Sequence, residues 1–401
     1  MISHNNLTQK LISIVILASI VSHYFLPKFG YIVLLVIFLS LIGLLSSNNK
    51  KKDFKKWEMA FIGLSVGYFL LQLFNIIYFD INIREIDNAS RFILVLPIFL
   101  YLRKFGMNIR FLDYGLILAC LAIGITSLFS ILYGKILIPI ASPYGGSLYP
   151  GIFGICLLFF STTTKKIKKK IAYLFPAVLS LSAALLAMGR GALIGSIIAL
   201  LILSYLIFKK KFIYTLIPLL IIAALLTSFS QEGRFKKIKR TYSETMSYFN
   251  DEGVIGSLGV RYEMWKAGLY IAKNNFFTGI GVTNYKKEKE KLIEIDQIDP
   301  LIERFNHPHS ELLSSLVNQG IFGLVILVLL LGLPILISLH SIKSENESLK
   351  KIGIFLFSIG VHYLSYSFGN AIFYHHHMTI FYAYFIAVGL GIYSSYYRSL
   401  E

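Results

Sequence analysis

The chain has 401 residues, of which 56% are hydrophobic and 15% aromatic, and its formal net charge is +18. With a mean hydropathy of +0.67, it holds more apolar side chains than a soluble core could bury, so the composition excludes a soluble domain and is typical of polytopic membrane proteins. The positive charge does not indicate nucleic-acid binding, because Lys and Arg cluster at the ends of apolar runs. Cys120 and Cys156 both lie inside apolar runs, so no disulfide framework is predicted.

Apolar runs near the length of about twenty residues that crosses a bilayer as a helix recur along the whole chain. The first has the outline of a signal peptide, but no small-x-small cleavage site precedes Pro27, so we interpret it as a retained span. We therefore predict an all-α polytopic membrane protein with about twelve transmembrane helices. The runs fall at residues 10–27, 30–47, 57–79, 89–102, 111–133, 149–163, 171–188, 191–208, 212–229, 312–339, 352–369 and 372–397.

The charged loops (joints) between these runs predict the orientation of the protein in the membrane. With the N-terminus in the cytoplasm, the inside joints and termini carry 21 Lys and Arg, whereas the short outside joints carry five: Lys28, Arg84, Arg91, Lys135 and Arg190. An excess of Lys and Arg marks the cytoplasmic side. Both termini are thus predicted to be cytoplasmic, with spans one to nine in residues 1–229, a large outside loop in residues 230–311, and spans ten to twelve in residues 312–401.

The long loop is too structured in pattern to be a disordered linker. Apolar side chains recur at helical spacing from Arg234 to Phe249, which predicts an amphipathic helix on the membrane surface. We expect a turn over residues 251–259, then a helix that Arg261 opens, with Trp265, Leu269 and Ala272 on one face. Residues 286–291 predict a solvated, charged helix.

Three residues near the outside face are candidates for chemistry. Arg190 lies between two glycines at the end of the seventh run, which suits either a snorkelling arginine or an anion site beside the next helix N-terminus. Arg261 would work against its helix dipole unless Glu263 or a bound anion offsets it. His309 follows a proline just before the chain re-enters the membrane, and is either a loop histidine bonded to backbone or a proton acceptor.

Other ionisable residues are weaker candidates. Arg91 faces outside and suits an interfacial anchor better than a contact to a lipid phosphate. The triplet His375–His377 resembles a metal cluster, but consecutive helical residues point about 100° apart, so interfacial packing is the better interpretation. No His, Cys or Asp spacing predicts a zinc or magnesium site.

The motifs together resemble those of the O-antigen ligases, which belong to a superfamily of O-antigen ligases and polymerases. The resemblance is sharpest from Ser257 to Gly323. It rests on Ser257-Leu-Gly-Val-Arg261, on Gly279-Ile-Gly281-Val-Thr-Asn-Tyr285, and on His309-Ser310 followed after nine residues by Gly320-x-x-Gly323. Arg190, followed by Ala192 and Leu193, resembles the arginine that precedes the large loop in that family. Asn275 departs from the proline that many relatives carry, and the histidine triplet is not a family feature.

The resemblance implies a GT-C-like glycosyltransferase of the bacterial inner membrane with a periplasmic active site. It implies transfer of O-antigen polysaccharide from undecaprenyl pyrophosphate to a sugar hydroxyl of lipid A-core, without a cofactor, a metal or a nucleic-acid partner. Arg190 and Arg261 would bind the pyrophosphate leaving group. His309 would take the proton of the attacking hydroxyl or orient the acceptor, with inversion at the anomeric carbon.

Three other functions are alternatives to the ligase. An O-antigen or capsule polymerase would use the same donor with a second lipid-linked glycan as acceptor, and two comparable outside loops would favour it. A protein O-oligosaccharyltransferase would be expected to carry a further periplasmic domain. A transporter of a lipid-linked glycan would show charges at mid-span and broken helices in paired halves. The single long loop with its His-Ser ending favours the ligase.

Overall fold

The computed structural model describes residues 2–26, 28–46, 53–133, 146–187, 189–209, 242–250 and 256–400. Within these ranges the chain forms helices and short turns and contains no β-strand. The helices are α1 Ile2–Ser22, α2 Gly30–Leu45, α3 Lys56–Tyr78, α4 Asp87–Leu94, α5 Leu96–Phe105, α6 Ile109–Tyr133, α7 Leu148–Phe160, α8 Ile167–Leu186, α9 Arg190–Phe208, α10 242–249, α11 Gly256–Asn274, α12 Tyr285–Glu294, α13 Glu311–Ser341, α14 Glu347–Ser367 and α15 His376–Arg398.

Six of these helices are long and apolar enough to cross a membrane: α3, α6, α8, α9, α13 and α15. Shorter apolar helices occupy α1, α2 and α7. The predicted class, an all-helical polytopic membrane protein, agrees with this architecture. The predicted number of twelve spans stays a prediction, and the run at residues 212–229 lies outside the described residues.

The predicted span at residues 89–102 is wrong as a single helix. The structure divides it into α4 and α5 at Val95. Pro97 is in the first turn of α5, where its missing N–H costs nothing, whereas inside one continuous helix it would remove a hydrogen bond to the preceding turn. The break leaves α4 as a short helix that carries Arg91.

The last helix, α15, is the centre of the bundle. In the most apolar stretch of α15, 94% of the residues are buried inside the protein, whereas the corresponding share in the other five long helices is 33–44%. Its tyrosines bond to helices on different sides: Tyr384 shares a hydrogen bond of 2.9 Å with Ser19 of α1, and Tyr382 donates to the carbonyl of Leu330 in α13 (2.7 Å). Buried tyrosine hydroxyls need such partners, so α15 fixes the positions of its neighbours.

The end of the bundle remote from His309 contains buried ionisable groups. Glu58, which is fully buried, accepts hydrogen bonds from Arg103 of α5 (3.1 Å) and Arg398 of α15 (2.6 Å). A second pair joins Lys351 of α14 to Asp113 of α6 at 2.8 Å. Because an unpaired buried charge is costly, such pairs tie the helices that supply them.

The Gly-x-x-Gly motif at residues 320–323 marks an interruption in α13. Gly320 has φ 65° and ψ −163°, which breaks the helix and frees carbonyl groups of the turn before it. The amides of Ile280 and Gly281 donate to the carbonyls of Val317 and Asn318 (2.9 and 3.0 Å), and Ile321 returns a bond to the carbonyl of Phe276 (2.8 Å). We name this set of three hydrogen bonds the glycine clamp. It fastens the loop that contains Gly279 and Gly281 to the membrane helix.

The loop helices differ from prediction in two respects. The turn expected over residues 251–259 is helical from Gly256 onward, so Arg261 lies in the second turn of α11 instead of opening it. The dipole argument for Arg261 therefore fails, because that effect is confined to the first turn. Two residues predicted to share one face differ in burial, because Ala272 is buried and Leu269 is 59% exposed. The buried side of α11 packs through Met264, Ala267, Gly268 and Ile271.

The predicted amphipathic helix over residues 234–249 is described only in its last part, as α10. There its side chains contact α11. The hydroxyl of Tyr248 donates to the carboxylate of Glu263 at 2.7 Å. Glu263 also accepts from the backbone of Asp299 (2.9 Å), so it joins three parts of the loop.

The Gly320→Ala variant is expected to be markedly less stable than the wild type. The region near φ 65° and ψ −163° is open essentially to glycine alone and costs other residues about 1–3 kcal/mol. A Cβ at Gly320 would also collide with the backbone of Phe277 and lie 2.8 Å from the carbonyl oxygen of Phe276. Thermal unfolding of the purified protein in detergent measures the loss. Gly332→Ala in the same helix is the matched control, because a Cβ there meets no atom within 4 Å; equal melting temperatures would contradict the role of the clamp.

Candidate active site

His309 is held in an unusual backbone conformation at the entrance to α13. Its φ is +52°, a left-handed value that is uncommon for residues other than glycine and costs energy that the surrounding contacts must offset. The next residue, Ser310, caps α13 and donates to the carbonyl of Ser367 at 3.3 Å. The backbone N–H of His309 donates to Nδ1 of His307 (3.2 Å). These contacts hold the imidazole in a defined place.

Arg261 is close to His309, although 48 residues separate the two in sequence. Its Nη1 is 3.6 Å from the position that a Cβ would take on Gly369. The same turn accepts the backbone N–H of Glu311 through the carbonyl of Asn370 (2.9 Å). Residues 366–370, which comprise the end of α14 and the turn after it and which we name the α14 turn, thus bring Arg261 and the His309 segment to one place.

Arg190 begins α9, and its backbone reaches the same turn. A Cβ on the neighbouring Gly191 would lie 2.9 Å from the ring of Tyr366 and 3.4 Å from the amide nitrogen of Asn370. The first turn of α9, with its unpaired N–H groups and positive dipole end, is therefore beside the α14 turn. The side chain of Arg190 lies outside the described residues, so its predicted contact with phosphate stays a prediction.

The imidazoles of this site are neutral at pH 7. Burial lowers the pKa of His309 to about 4, helped by the positive charge of Arg261 and by His375. Burial also lowers the pKa of His307 to about 3, with His309 and His375 contributing. The rings of His307 and His309 are 4.3 Å apart. A neutral imidazole can accept a proton or a hydrogen bond through one ring nitrogen. Because Nδ1 of His307 already accepts the backbone N–H of His309, it is the ring of His309 that offers this capacity.

A functional residue that the sequence analysis missed is Lys289. The helix over residues 286–291 was expected to be solvated, but Lys289 is fully buried. Its Nζ donates to the carbonyls of Ile302 (2.8 Å), Glu303 (2.6 Å) and Phe305 (2.6 Å). Burial lowers the pKa of this amine. Because these carbonyls immediately precede His307, Lys289 fixes the segment that presents the two histidines.

Arg91 and the histidine triplet form a second polar cluster next to the site. Nη2 of Arg91 donates to Asp87 (2.7 Å) and to Nδ1 of His376 (2.6 Å). His375 instead faces His307, with ring centroids 6.5 Å apart. The triplet therefore points in different directions, as expected. Within the described ranges, no group of three or more His, Cys, Asp or Glu side chains is arranged to hold a metal ion.

An apolar groove leads away from this cluster. Its volume between α2, α4 and α15 is about 370 Å³, with Leu34, Ile37 and Ile380 among its apolar walls. Its polar end is formed by Lys28, Arg91, Asp87, His376 and His377. We name it the lateral groove. An apolar cleft with a basic end suits an amphiphile that has an anionic head group.

These features define a polytopic helical membrane protein with a basic, imidazole-containing site at one end of the bundle, and known proteins share parts of its sequence. Residues 175–328, which include Arg190, Arg261 and His309, match the family model described as O-antigen ligase. An uncharacterized protein from Haemophilus influenzae is 29% identical over 336 residues, which cover 79% of this chain and 82% of the relative. This match supports membership of the O-antigen ligase superfamily, in agreement with the motifs. It also supports a general role in glycosyl transfer with a lipid-linked polysaccharide substrate.

The low pKa of His309 predicts a specific pH dependence of its reactivity. Diethyl pyrocarbonate modifies neutral imidazole, so its reaction with His309, followed by peptide mass spectrometry, should stay constant from pH 7.5 to about 5 and decline only as the pKa of about 4 is approached. Arg261→Gln removes a cation that disfavours the imidazolium, so the decline should move to higher pH. A decline near the ordinary value of about 6.5 in both proteins would contradict the described environment.

The same shift predicts the effect of pH on stability. The folded-state pKa of His309 and of His307 lies below the unfolded value of about 6.5. Their contribution to stability is therefore present above about pH 6.5 and is lost as the pH falls toward 4. Melting temperatures measured between pH 7.5 and 4.5 should fall, and the fall should be smaller in the His307→Gln variant, which has one such group fewer.

Lys289→Met is expected to destabilise the loop by about 2–4 kcal/mol, because three buried carbonyls lose a charged donor. Limited proteolysis should then cut faster within residues 300–309, and thermal unfolding should begin earlier. Lys287→Met is the matched control, since Lys287 is exposed on the same helix. Equal proteolysis of the two variants would show that Lys289 does not hold this segment.

Proposed function

We propose that the protein is an O-antigen ligase that transfers O-antigen polysaccharide from undecaprenyl pyrophosphate to a sugar hydroxyl of lipid A-core. The observation that carries the proposal is the convergence of Arg261, His309 and the first turn of α9 on the α14 turn. Arg261, His309 and the first turn of α9 all lie within the residues that match the O-antigen ligase family. Cationic groups and a neutral imidazole at one point suit a reaction in which a phosphate leaves while a hydroxyl attacks.

The chemistry follows from the charges that develop during transfer. The bond between the anomeric carbon and the pyrophosphate oxygen breaks, which places negative charge on the leaving group. Arg261, Arg190 and the N-terminal amides of α9 offset that charge. The acceptor oxygen bonds to the anomeric carbon from the opposite side, which inverts the centre, and its proton passes to His309. The arginines supply the charge stabilisation that a divalent cation provides elsewhere, so the proposed reaction requires no metal.

The lateral groove supports a lipid-linked donor. A polyprenyl tail needs an apolar surface that begins near the pyrophosphate site, and the basic end of this groove contains His376, the neighbour of His375. Lys28 and Arg91 at that end attract a phosphate in a membrane surface region. In this proposal Arg91 guides the carrier toward the site, in addition to anchoring α4 through Asp87.

The proposed orientation places the site in the periplasm and both termini in the cytoplasm. It rests on the excess of Lys and Arg in the joints at the opposite end of the bundle. Arg103, Arg398 and Lys351 all belong to that end. Because undecaprenyl-linked glycans are assembled for transfer outside the cytoplasm, the inner membrane is the proposed location.

His309→Asn and Arg261→Ala are expected to lower the transfer rate by at least about a hundredfold, the usual scale for losing a general base or a charge-stabilising donor. Asparagine is chosen because it tolerates the left-handed φ of His309, so folding is kept. Purified protein with lipid-linked donor and lipid A-core measures the rate, which should not change in EDTA. Arg304→Ala, an exposed arginine of the same loop, is the control. Wild-type transfer by His309→Asn would overturn its assignment as the base.

A lipopolysaccharide gel of a deletion strain separates the ligase from the polymerase. For a ligase, the ladder on lipid A-core should vanish while long chains accumulate on the undecaprenyl carrier. Core that bears a single repeat unit would instead identify a polymerase that uses the same donor site. Complementation with the Arg261→Ala variant should reproduce the deletion in either case.

A further inference from the structure

A polar stripe runs along the first part of α13, just after His309. Glu311, Ser314, Ser315, Asn318 and Gln319 recur at spacings of three and four residues, which places them on one face of the helix. This stripe faces α3. Gln319 hydrogen-bonds to the side chain of Gln72, and Asn75 donates to the backbone carbonyl of Asn318 at 2.9 Å. Polar faces on two apolar helices are expensive in a membrane and mark functional sites.

A pocket lies between the two helices and opens beside His307. Its cavity volume is about 90 Å³, and Tyr68 and Tyr374 form part of its wall. Glu311 lines it as well, and one of its carboxylate oxygens accepts the backbone N–H of Phe373 (2.9 Å). The ring of His307 joins the pocket to the site of His309, 4.3 Å away. We name it the polar pocket.

Several polar atoms of this pocket are buried without a hydrogen-bond partner. Among the described residues, such atoms include the hydroxyls of Ser314 and Ser315 and the side-chain oxygens of Asn88 and Asn318, and all four residues line the polar pocket. Ser314 and Ser315 are each only 6% exposed. Buried polar atoms are nearly always bonded in proteins, so a cluster of unbonded ones indicates a polar occupant.

The lining chemistry specifies the class of that occupant. No Lys or Arg is among the described residues that line the pocket, which distinguishes it from the lateral groove and disfavours phosphate. Its free groups are hydroxyls, which donate and accept, and amide oxygens, which accept. A ring with several hydroxyl groups satisfies both kinds, and its C–H faces suit the flanking rings of Tyr68 and Tyr374.

We propose that the polar pocket binds a sugar ring of one of the two substrates, with Ser314 and Ser315 as direct hydrogen-bond partners. This inference rests on the proposed glycosyl transfer and deepens it. A ring bound beside His307 lies next to the reacting centre, so the pocket selects which sugar is joined. The ring belongs either to the donor glycan, at its reducing end, or to the acceptor, at the attacking hydroxyl.

Steady-state kinetics of the Ser314→Ala/Ser315→Ala double variant in nanodiscs test the proposal. Loss of two neutral hydrogen bonds should raise the KM for one substrate by about tenfold, with the KM for the other unchanged. A rise for lipid A-core assigns the ring to the acceptor, and a rise for the lipid-linked glycan assigns it to the donor. The control is Ser338→Ala/Ser341→Ala in the same helix, whose hydroxyls bond to backbone carbonyls of α13 itself. Unchanged KM values for both substrates would overturn the proposal.

A binding measurement makes the result independent of the transfer reaction. Saturation-transfer NMR with glucose, galactose and N-acetylglucosamine should show at least one sugar bound to the wild type and the signal lost in the double variant. If the wild type binds no sugar, or both proteins bind equally, the pocket proposal fails. If binding follows the prediction while no transfer is found with any lipid-linked donor, the sugar site stands and the proposed ligase function falls.

Discussion

The glycine clamp is the contact on which the arrangement of the site depends. Backbone groups at membrane depth have no water to bond with, so a break in a membrane helix is tolerated only where other protein groups replace the lost bonds. Ile280 and Gly281 do this for the carbonyls of Val317 and Asn318. These hydrogen bonds fix the loop that follows α11 to α13. Because α11 carries Arg261, they also fix the position of that helix relative to α13. A loop and a membrane helix that would otherwise move independently are thereby held in register.

Around that fixed point the structure separates three environments within a short distance. The lateral groove is apolar with a basic end, the α14 turn gathers Arg261 and His309, and the polar pocket is lined by polar side chains, Glu85 and Glu311, with no Lys or Arg among its described residues. These suit in turn a hydrocarbon tail, a leaving phosphate and a sugar. His307 and His375 lie between the three. A transferase for lipid-linked glycans needs this separation, because its substrates combine all three chemistries in one molecule.

The class of fold, and the residues that converge on the α14 turn, could be predicted from the sequence. Predictions failed for residues whose environment depends on which parts of the chain are buried together. Apolar runs predicted most helix bounds to within a few residues, since length and hydropathy act locally. Lys289 was placed in solvent because its neighbours are charged. Yet it shares a helical stripe with Tyr285 and Leu292, and that pattern was available. The stripe from Glu311 to Gln319 was visible too, but its partner on α3 is more than 200 residues away, so only the fold shows that the two faces meet. Leu269 was placed on one face with Ala272, yet only Ala272 is buried, because periodicity defines a face without stating which neighbour covers it.

The central position of α15 has a consequence for biosynthesis. Because the chain is synthesised from its N-terminus, the other membrane helices are made before the central helix α15. Ser19 and Tyr384, which bond to each other, are translated 365 residues apart. The central position of the bundle therefore stays unfilled until α15 has been translated, and the buried contacts of α15 form only then.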